Sequence, residues 1–397
     1  MNFIFISPHF PKTYYQFCQE LKNNGVNVLG IASDWYDGLS NEVKNSLTEY
    51  YQVNNMENYD DMYRAVAYFA SKYGKIDFIE SNNEYWLEQD ARLRSDFNVT
   101  TGKKEHEILF FKSKEAMKQG YHKAGVPVAR YIIPSTYELG LEFVNEVGYP
   151  VIVKPDNGVG AYNTYKITNE EELKAFYFEH FPDIKYIMEE FIQGDLISFD
   201  GITNGDAEVI FSSNEVFPDP VMNIVNEHLD CKYYCNKEMP KDLEEAGKKV
   251  LKAFDAKYRY FHLEFFRLTK GKKGLGKKGD IVGLEVNMRS PGGYTPDMIN
   301  YSKSVSTYKI WADVMTYNST LQDLNKDKYF CVYYGRRDDK HYVMSTQDIR
   351  NKYWDKIKVT DRLPDVLSGA MGNDFFIANC STKEEMEEFI SDCSKLV

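Results

Sequence analysis

The sequence lacks a long apolar run, and it has no excess of basic residues. No apolar stretch approaches the ~18 residues that a membrane-spanning helix needs. Its 48 Lys and Arg against 60 Asp and Glu give a formal net charge of -12. Such a surface repels polyanions on average, so nucleic-acid binding would need a local basic stripe. We therefore expect neither a membrane protein nor a nucleic-acid partner.

Cysteine is also scarce, and the six residues are scattered. Cys231 and Cys235 are the one close pair, and no second pair or His pair completes a zinc set. The first ten residues, MNFIFISPHF, are apolar for about one strand and lack a basic n-region. This predicts a first β-strand instead of a signal peptide. We expect reduced thiols and a cytoplasmic location.

One dense basic segment, KGKKGLGKK at 270–278, lies between two strand-like segments. Its Gly content and charge favour a solvated hairpin loop. The 397 residues, 43% of them hydrophobic, suffice for two to four packed units. Residues 1–105 alternate strand-like and helix-like segments, which predicts a parallel α/β domain.

Residues 106–318 read as an α+β domain that contains a smaller unit at about 131–193, and residues 319–397 as a small α+β extension. A helix is predicted over Lys114–Ala124, closed by Gly125. Three capping-box patterns predict further helix starts. They are Ser135-x-x-Glu138, Thr168-x-x-Glu171 and Ser381-x-x-Glu384.

Lys154 ends an apolar strand and precedes a loop with Gly158 and Gly160. A lysine at a strand end can neutralise phosphate charge, and glycines let backbone N–H groups approach phosphate oxygens. The pattern is not a Walker A motif, because no such helix follows. On residues alone, a surface lysine in a turn is an equal alternative.

A set of polar residues lies in two later strands. Glu264 lies in the segment YFHLEFF. Glu285, Asn287 and Arg289 occupy every second position of the segment IVGLEVNMR, so their side chains share one face of the strand. Carboxylate and amide oxygens suit Mg²⁺, and an arginine suits a phosphoryl group or a carboxylate. A structural salt-bridge network is the alternative.

Taken together, these motifs resemble the ATP-grasp superfamily over about residues 1–318. The pattern is closest to carboxylate–amine (L-amino-acid) ligases and to the large chain of carbamoyl phosphate synthetase. The resemblance implies an N-terminal pre-ATP-grasp domain at 1–105 and an ATP-grasp domain at 106–318, followed by the extension. It also implies ATP and Mg²⁺, or Mn²⁺, as cofactors.

The resemblance assigns roles to individual residues. Lys114 and Lys154 match the two nucleotide lysines, and 156–162 matches a mobile phosphate lid, with Ala161 where the family has Ser. Glu189, Glu190, Phe191 and Ile192 match the hinge that reads adenine through backbone groups. Leu196 stands at the position where the family has the carboxylate that binds the ribose, so the neighbouring Asp195 is the candidate for that role.

Three further roles follow from the same resemblance. Glu264, Glu285 and Asn287 match the metal ligands, and Arg289 matches the arginine beside the γ-phosphate, so Arg289 and Lys154 are the catalytic candidates. Glu84 resembles a leading-domain residue that faces the site. For His262 a role at the substrate, a role in supporting the site ligands and a purely structural role stay open. Ser198 and Asp200 are interpreted as structural or peripheral.

The resemblance implies a ligase that activates a carboxylate as an acyl phosphate and couples it to an amine, releasing ADP and phosphate. Two alternatives remain: a carboxyphosphate-forming enzyme, and an inactive nucleotide-binding regulator. Ser290-Pro291-Gly292-Gly293 follows Arg289, where carboxylases have a Gln and a Glu, which favours the first reading. The motifs do not identify the substrates, and a homodimer is one possible assembly.

Overall fold

The computed structural model of the chain describes residues 1–158, 163–179, 184–219, 224–225 and 227–397, with only the backbone described at 365 and 366. Within this part the chain builds one parallel and two antiparallel sheets. The predicted combination of α/β and α+β architecture is confirmed. Gly160 and residues 161–162 of the predicted lid lie outside the described residues.

The N-terminal unit is a parallel sheet with helices on both faces, in strand order β3-β2-β1-β4. Its strands are β1 (Asn2–Ile6), β2 (Asn27–Ala32), β3 (Glu49–Gln52) and β4 (Phe78–Glu80), and its helices are α1 (Tyr15–Asn23), α2 (Asn41–Ser46), α3 (Tyr59–Tyr73) and α4 (Leu87–Asp96). β1 is apolar from Phe3 to Ile6 because both its faces are covered there: Phe3 and Phe5 pack with Phe17, and Ile4 and Ile6 with the opposite cluster.

Helix α5 (Lys114–Ala124) begins the second unit with the predicted bounds. The Ser113 hydroxyl accepts a hydrogen bond from Ala116 N, and Gly125 closes the helix at φ 70°. An antiparallel sheet in the order β5-β8-β6-β7 follows. It consists of β5 (Tyr131–Ile132), β6 (Val151–Pro155), β7 (Tyr165–Ile167) and β8 (Tyr186–Glu190), with α6 (Tyr137–Val147) and α7 (Glu170–Glu179).

A large antiparallel sheet forms the centre of the molecule, in the order β14-β13-β9-β11-β12-β15-β17-β16, with β10 also on β9. Its first part contains β9 (Gly194–Thr203), β10 (Val209–Ser213), β11 (Glu215–Phe217), β12 (Cys231–Cys235), β13 (Arg259–Leu268) and β14 (Ile281–Asn287), with α8 (Lys241–Ala253), α9 (Thr295–Lys303) and α10 (Thr307–Tyr317). On β13, Phe261, Leu263 and Phe265 pack into the core with α5 and α8, so His262 and Glu264 face the other way.

The C-terminal extension adds its strands to this central sheet, because β15 pairs with β12. It contains β15 (Phe330–Arg336), β16 (Ile357–Arg362) and β17 (Asp374–Cys380), with α11 (Thr346–Lys352), α12 (Asp365–Met371) and α13 (Lys383–Ser394). The domain boundaries at 105 and 318 stay predictions. Among the helices of the described residues, none has both the length and the apolar composition of a membrane span.

The three predicted capping boxes are each wrong by one residue. The Thr136 hydroxyl accepts from Leu139 N, the Asn169 side chain from Glu172 N, and the Thr382 hydroxyl from Glu385 N. In each case two adjacent residues are able to cap. The apolar face of the helix, which must reach the core, selects the later one.

Candidate active site

A cavity of about 760 Å³ lies between the β5–β8 sheet and strands β9, β13 and β14 of the central sheet. It brings together twelve of the sequence-predicted site residues. These are Glu84, Lys114, Lys154, Gly158, Glu189, Glu190, Phe191, Ile192, Glu264, Glu285, Asn287 and Arg289. Apolar side chains, among them Ile152, Leu196 and Phe266, line the same space. The cavity therefore combines an apolar wall with a charged end, as a nucleotide site requires.

Asp195, the candidate for the ribose carboxylate, does not line the cavity. It is exposed, and its neighbour Leu196 lines the cavity instead. Adjacent residues of a strand point to opposite faces, so one position of offset turns the carboxylate away. Within the described residues, the wall at this position is apolar.

The charged end is built by cross-strand pairing of β9, β13 and β14. In one row Ser198 lies opposite Glu264, which lies opposite Glu285; in the next row Asp200, His262 and Asn287 are opposite one another. Directly opposite residues on one sheet face have neighbouring side chains. Antiparallel pairing therefore gathers six polar groups from three separate segments.

Lys114 and Glu285 form an ion pair across the cavity, with Nζ 3.0 Å from Oε1. The Lys114 ammonium also donates to the Gly158 carbonyl, at 3.2 Å. Burial alone would raise the pKa of Glu285, but Lys114 and Lys154 lower it below its usual range. Glu285 is therefore a carboxylate, the form that can bind a metal ion.

Lys154 pairs with the side chain of Glu189, with Nζ 3.3 Å from Oε2. Lys118, which the sequence interpretation missed, lies 2.9 Å from the other oxygen of Glu189 and is 1% exposed. Burial opposes ionisation of Glu189, but the two lysines lower its pKa to about 2. The one available signal was spacing, since Lys114 and Lys118 share a face of α5 at i,i+4.

Glu190 is held from two sides. Arg130 donates to its carboxylate from Nη2 at 2.8 Å, and Lys272 Nζ lies 3.0 Å away. Lys272 also donates to the Phe191 carbonyl at 2.7 Å. The 270–278 loop, interpreted from the sequence as solvated, therefore contacts the hinge through one lysine. Long side chains can bridge from an exposed loop to a buried acceptor.

The first residue of the predicted lid is hydrogen-bonded to the start of α5. The Asp156 carboxylate accepts from the Ser113 hydroxyl and from Glu115 N, both at 2.8 Å, and Asp156 is buried. The mobility of 156–162 stays a prediction. Residues 159–162 lie outside the described part of the chain.

His262 lies between two carboxylates, with Nδ1 2.5 Å from Asp200 Oδ1 and Nε2 3.1 Å from Glu264 Oε1. Burial would lower the pKa of His262, but Asp200 and Glu264 raise it to about 10, so the ring is an imidazolium. Glu215 is close to this pair, and burial together with Asp200 raises its pKa to about 8. Asp200, interpreted as structural or peripheral, is thus linked through His262 to the candidate metal ligand Glu264.

Arg289 connects the N-terminal unit to the cavity. Its Nε donates to Glu84 Oε2 at 3.1 Å, while Lys112 lies 3.2 Å from the other oxygen of Glu84. The turn after Arg289 contains Gly293 at φ 60°, a conformation that favours glycine. Glu84 and Arg289 both line the cavity, so this corner presents an anion and a cation side by side.

The donor set fits a divalent ion and a polyphosphate. Two carboxylates and an amide oxygen, from Glu264, Glu285 and Asn287, are hard ligands of the kind Mg²⁺ and Mn²⁺ bind. The ammonium groups of Lys114 and Lys154 supply compensating positive charge for phosphates. In the structure Lys114 pairs with Glu285 and Lys154 pairs with Glu189, which keeps these buried charges neutralised.

Comparison with known proteins agrees with this geometry. Residues 117–290 match a family model described as an ATP-grasp domain. An L-arginine-specific L-amino acid ligase of Bacillus subtilis is 26% identical over 263 residues, covering 64% of this chain and 61% of that protein. The chain's match thus spans less than two thirds of that relative.

Two solved structures have the same fold. An L-amino acid ligase from Bacillus licheniformis superimposes with a TM-score of 0.71 at 14% identity, covering 99% of this chain and 96% of the other. A biotin carboxylase from Campylobacter jejuni does so with a TM-score of 0.69 at 15% identity, covering 99% and 91%. The fold alone does not separate a ligase from a carboxylase. The chain therefore has the fold of these enzymes, and residues 117–290 match an ATP-grasp domain.

Proposed function

We propose that this protein is an ADP-forming, ATP-dependent carboxylate–amine ligase. The observation that carries the proposal is the single cavity in which Lys114 and Lys154, the oxygen ligands Glu264, Glu285 and Asn287, and Arg289 meet. Each group is one that phosphoryl transfer needs. Positioning and charge stabilisation account for most of its catalysis.

In this proposal adenine binds against the backbone of 190–192, beside the apolar wall, and the phosphates extend toward Lys114 and Lys154. Leu196 supplies apolar contact where a ribose carboxylate was expected, and Asp195 has no role at the ribose. Glu264, Glu285 and Asn287 would hold Mg²⁺ or Mn²⁺. The ion would offset phosphate charge and polarise the transferring group.

The reaction proceeds in two steps. A carboxylate oxygen of the first substrate attacks the γ-phosphorus, the bond to the β–γ bridging oxygen breaks, and ADP and an acyl phosphate form. The neutral amine then attacks the acyl carbon, the bond from that carbon to the phosphate oxygen breaks, and the nitrogen releases one proton as the amide and inorganic phosphate form. Arg289 neutralises charge between the two anions in the first step, and Glu84 orients its guanidinium through the 3.1 Å contact.

Capture by an amine is favoured by the segment after Arg289. Ser290-Pro291-Gly292-Gly293 provides a turn that lets backbone approach a small substrate, where the resemblance implies a Gln and a Glu in carboxylases. The similarity to an L-amino acid ligase supports the same substrate class. Small carboxylates and amines are thus the proposed partners, and a cytoplasmic location and a homodimer stay predictions.

The test is a panel of amino acids and small carboxylates assayed for MgATP-dependent ADP release, with products identified by mass spectrometry. Hydroxylamine in place of the amine should trap a hydroxamate. Lys154→Ala should abolish turnover, and Lys123→Ala, an exposed lysine on α5, should not. ADP release that needs bicarbonate alone would favour the carboxyphosphate alternative. A protein that binds ATP but turns over no member of the panel would favour the regulator.

A further inference from the structure

His262 connects a buried aspartate to a candidate metal ligand. Its two ring nitrogens lie 2.5 Å from Asp200 Oδ1 and 3.1 Å from Glu264 Oε1, so each nitrogen has its own carboxylate. The His262 side chain is 9% exposed, which leaves little solvent to replace either contact. A ring that is held at both ends has one orientation.

Asp200 is itself held in place. The Ser198 hydroxyl donates to Asp200 Oδ2, and the same hydroxyl accepts from Glu215 N at 3.1 Å. Asp200 and Ser198 are both fully buried. A continuous series of hydrogen bonds therefore runs from the backbone of β11, through Ser198, Asp200 and His262, to Glu264.

Glu264 lines the cavity, whereas Ser198, Asp200 and His262 are absent from its lining. The three buried residues therefore meet the cavity through Glu264. A glutamate on a strand has three rotatable side-chain bonds, and ordering them costs conformational entropy. A fixed hydrogen-bond donor on one carboxylate oxygen removes that cost before a metal ion arrives.

We propose that His262 is a positioning residue that holds the Glu264 carboxylate in the orientation that binds the divalent ion, with Asp200 and Ser198 holding His262. This inference rests on the proposed function, because it requires Glu264 to be a metal ligand. The four side chains of Ser198, Asp200, His262 and Glu264 form one hydrogen-bonded network. Its role is to raise the affinity of the site for the metal ion.

A different use of the same residues is a separate metal site. Ligand atoms of Asp200, Glu215 and His262 lie within 4.8 Å of one another. However, a cation there would have to displace the 2.5 Å contact between His262 and Asp200. Both ring nitrogens already have partners, so the positioning role fits the observed contacts without rearrangement.

The test compares three variants of the full chain. His262→Gln keeps a single amide that cannot contact both carboxylates, and Glu264→Gln removes the candidate ligand itself. Ser213→Ala is the matched control: Ser213 is buried opposite Asp200 on β10, and its hydroxyl has no hydrogen-bond partner among the described residues. Mn²⁺ binding to the protein–ADP complex is measured by electron paramagnetic resonance, and the Mg²⁺ dependence of ADP release by a steady-state assay.

We expect His262→Gln to raise the Kd for Mn²⁺ about tenfold or more, the usual effect of removing a group that supports a metal ligand. Turnover should recover substantially at saturating Mg²⁺, which a general loss of structure would prevent. Ser213→Ala should leave the Kd unchanged. If His262→Gln shows no cooperative melting transition, Asp200→Asn replaces it in the test. This variant should also raise the Kd for Mn²⁺, by a smaller factor.

Three results would overturn the inference in distinguishable ways. In the first, His262→Gln or Asp200→Asn leaves the Kd for Mn²⁺ unchanged while Glu264→Gln weakens Mn²⁺ binding strongly. This result excludes the positioning role and leaves the proposed function intact. An unchanged Kd in Glu264→Gln removes the metal assignment on which both depend. An additional ion that His262→Gln loses and Glu264→Gln retains would mean that His262 binds a metal directly.

Discussion

Two groups of buried charged side chains in this protein are similar in composition and different in surroundings. The closed cluster consists of Glu80, Arg94 and Arg259, and none of them lines the cavity. The cavity pairs are Lys114–Glu285 and Lys154–Glu189, which do line it. Buried charge alone therefore does not identify a functional site.

In the closed cluster, Glu80 accepts from Arg94 at 3.1 Å and from Arg259 at 2.6 Å, and its side chain is 2% exposed. Arg94 also donates to the Ile79 carbonyl. Glu80 ends β4 and Arg259 begins β13, so the cluster joins the N-terminal unit to the central sheet. Gly102, at φ 88°, leaves room for it: a Cβ there would lie 2.4 Å from Arg259 Nη2.

The cavity pairs have open space on one side. Glu285 is 23% exposed and Lys154 is 12% exposed. A ligand that carries phosphates and a metal ion can take over both partners, so these pairs can exchange for ligand contacts. The difference predicts that variants of the closed cluster lose stability, whereas variants of the cavity pairs lose activity.

The largest effect is expected for Glu80→Gln. It removes the carboxylate that the two buried guanidinium groups share, which costs about 3–5 kcal/mol of unfolding free energy. Denaturant unfolding measures this loss. The control is Glu244→Gln, which breaks an exposed i,i+4 pair with Lys248 and should cost less than about 0.5 kcal/mol. Equal stability of the two variants would contradict the assignment of a structural role to the closed cluster.

Glu285→Gln should show the opposite behaviour. Turnover should fall about 100-fold, equivalent to about 2.7 kcal/mol in the barrier, because a ligand of the metal and a partner of Lys114 are lost. The melting temperature should stay close to that of the wild type. Steady-state kinetics at several Mg²⁺ concentrations, with thermal unfolding, checks both. Normal turnover at ordinary Mg²⁺ would exclude Glu285 from the metal site.

Lys118→Met tests a buried lysine that does not line the cavity but contacts Glu189 of the Lys154–Glu189 pair. Glu189 would then depend on Lys154 alone and draw it away from the phosphates. We expect the KM for ATP to rise about tenfold, or about 1.4 kcal/mol. Lys123→Met, on the exposed face of the same helix, is the control. Matching KM values for the two variants would limit Lys118 to a structural role.

The smallest effect is expected for Lys272→Ala, which removes the contacts of the 270–278 loop with Glu190 and with the Phe191 carbonyl. Because Lys272 is partly exposed, we expect about a threefold increase in the Kd for ATP, weaker still at high salt. Lys273→Ala, in the exposed part of the loop, should leave the Kd unchanged. Isothermal titration calorimetry measures both. An effect of Lys273→Ala as large as that of Lys272→Ala would point to general charge instead of the specific contact.

Local signals in the sequence predicted local structure well. Ser113 and Gly125 gave the bounds of α5, because a cap and a left-handed glycine act on adjacent backbone. Period-2 alternation grouped Glu285 and Asn287 correctly, because strand geometry alone decides it. The capping boxes failed by one residue, since the choice between Ser135 and Thr136 depends on packing.

Contacts between distant segments were beyond the sequence. Lys118 meets Glu189 only when α5 packs beside β8, and Asp200 meets His262 only through the register of β9 with β13. No residue near Lys272 indicated that it contacts the hinge. Motifs thus identified the charged groups that line the cavity, and missed Lys118, Lys272 and the contact between Asp200 and His262.

The most direct measurement follows the phosphorus-containing products of one complete reaction. The protein is incubated with MgATP, a responsive carboxylate and an amine, and ³¹P nuclear magnetic resonance identifies what is released. We predict ADP and inorganic phosphate in equal amounts with the amide, because Arg289 and the metal ligands gather at the γ-phosphate end of the proposed site. AMP and pyrophosphate would contradict the proposed chemistry.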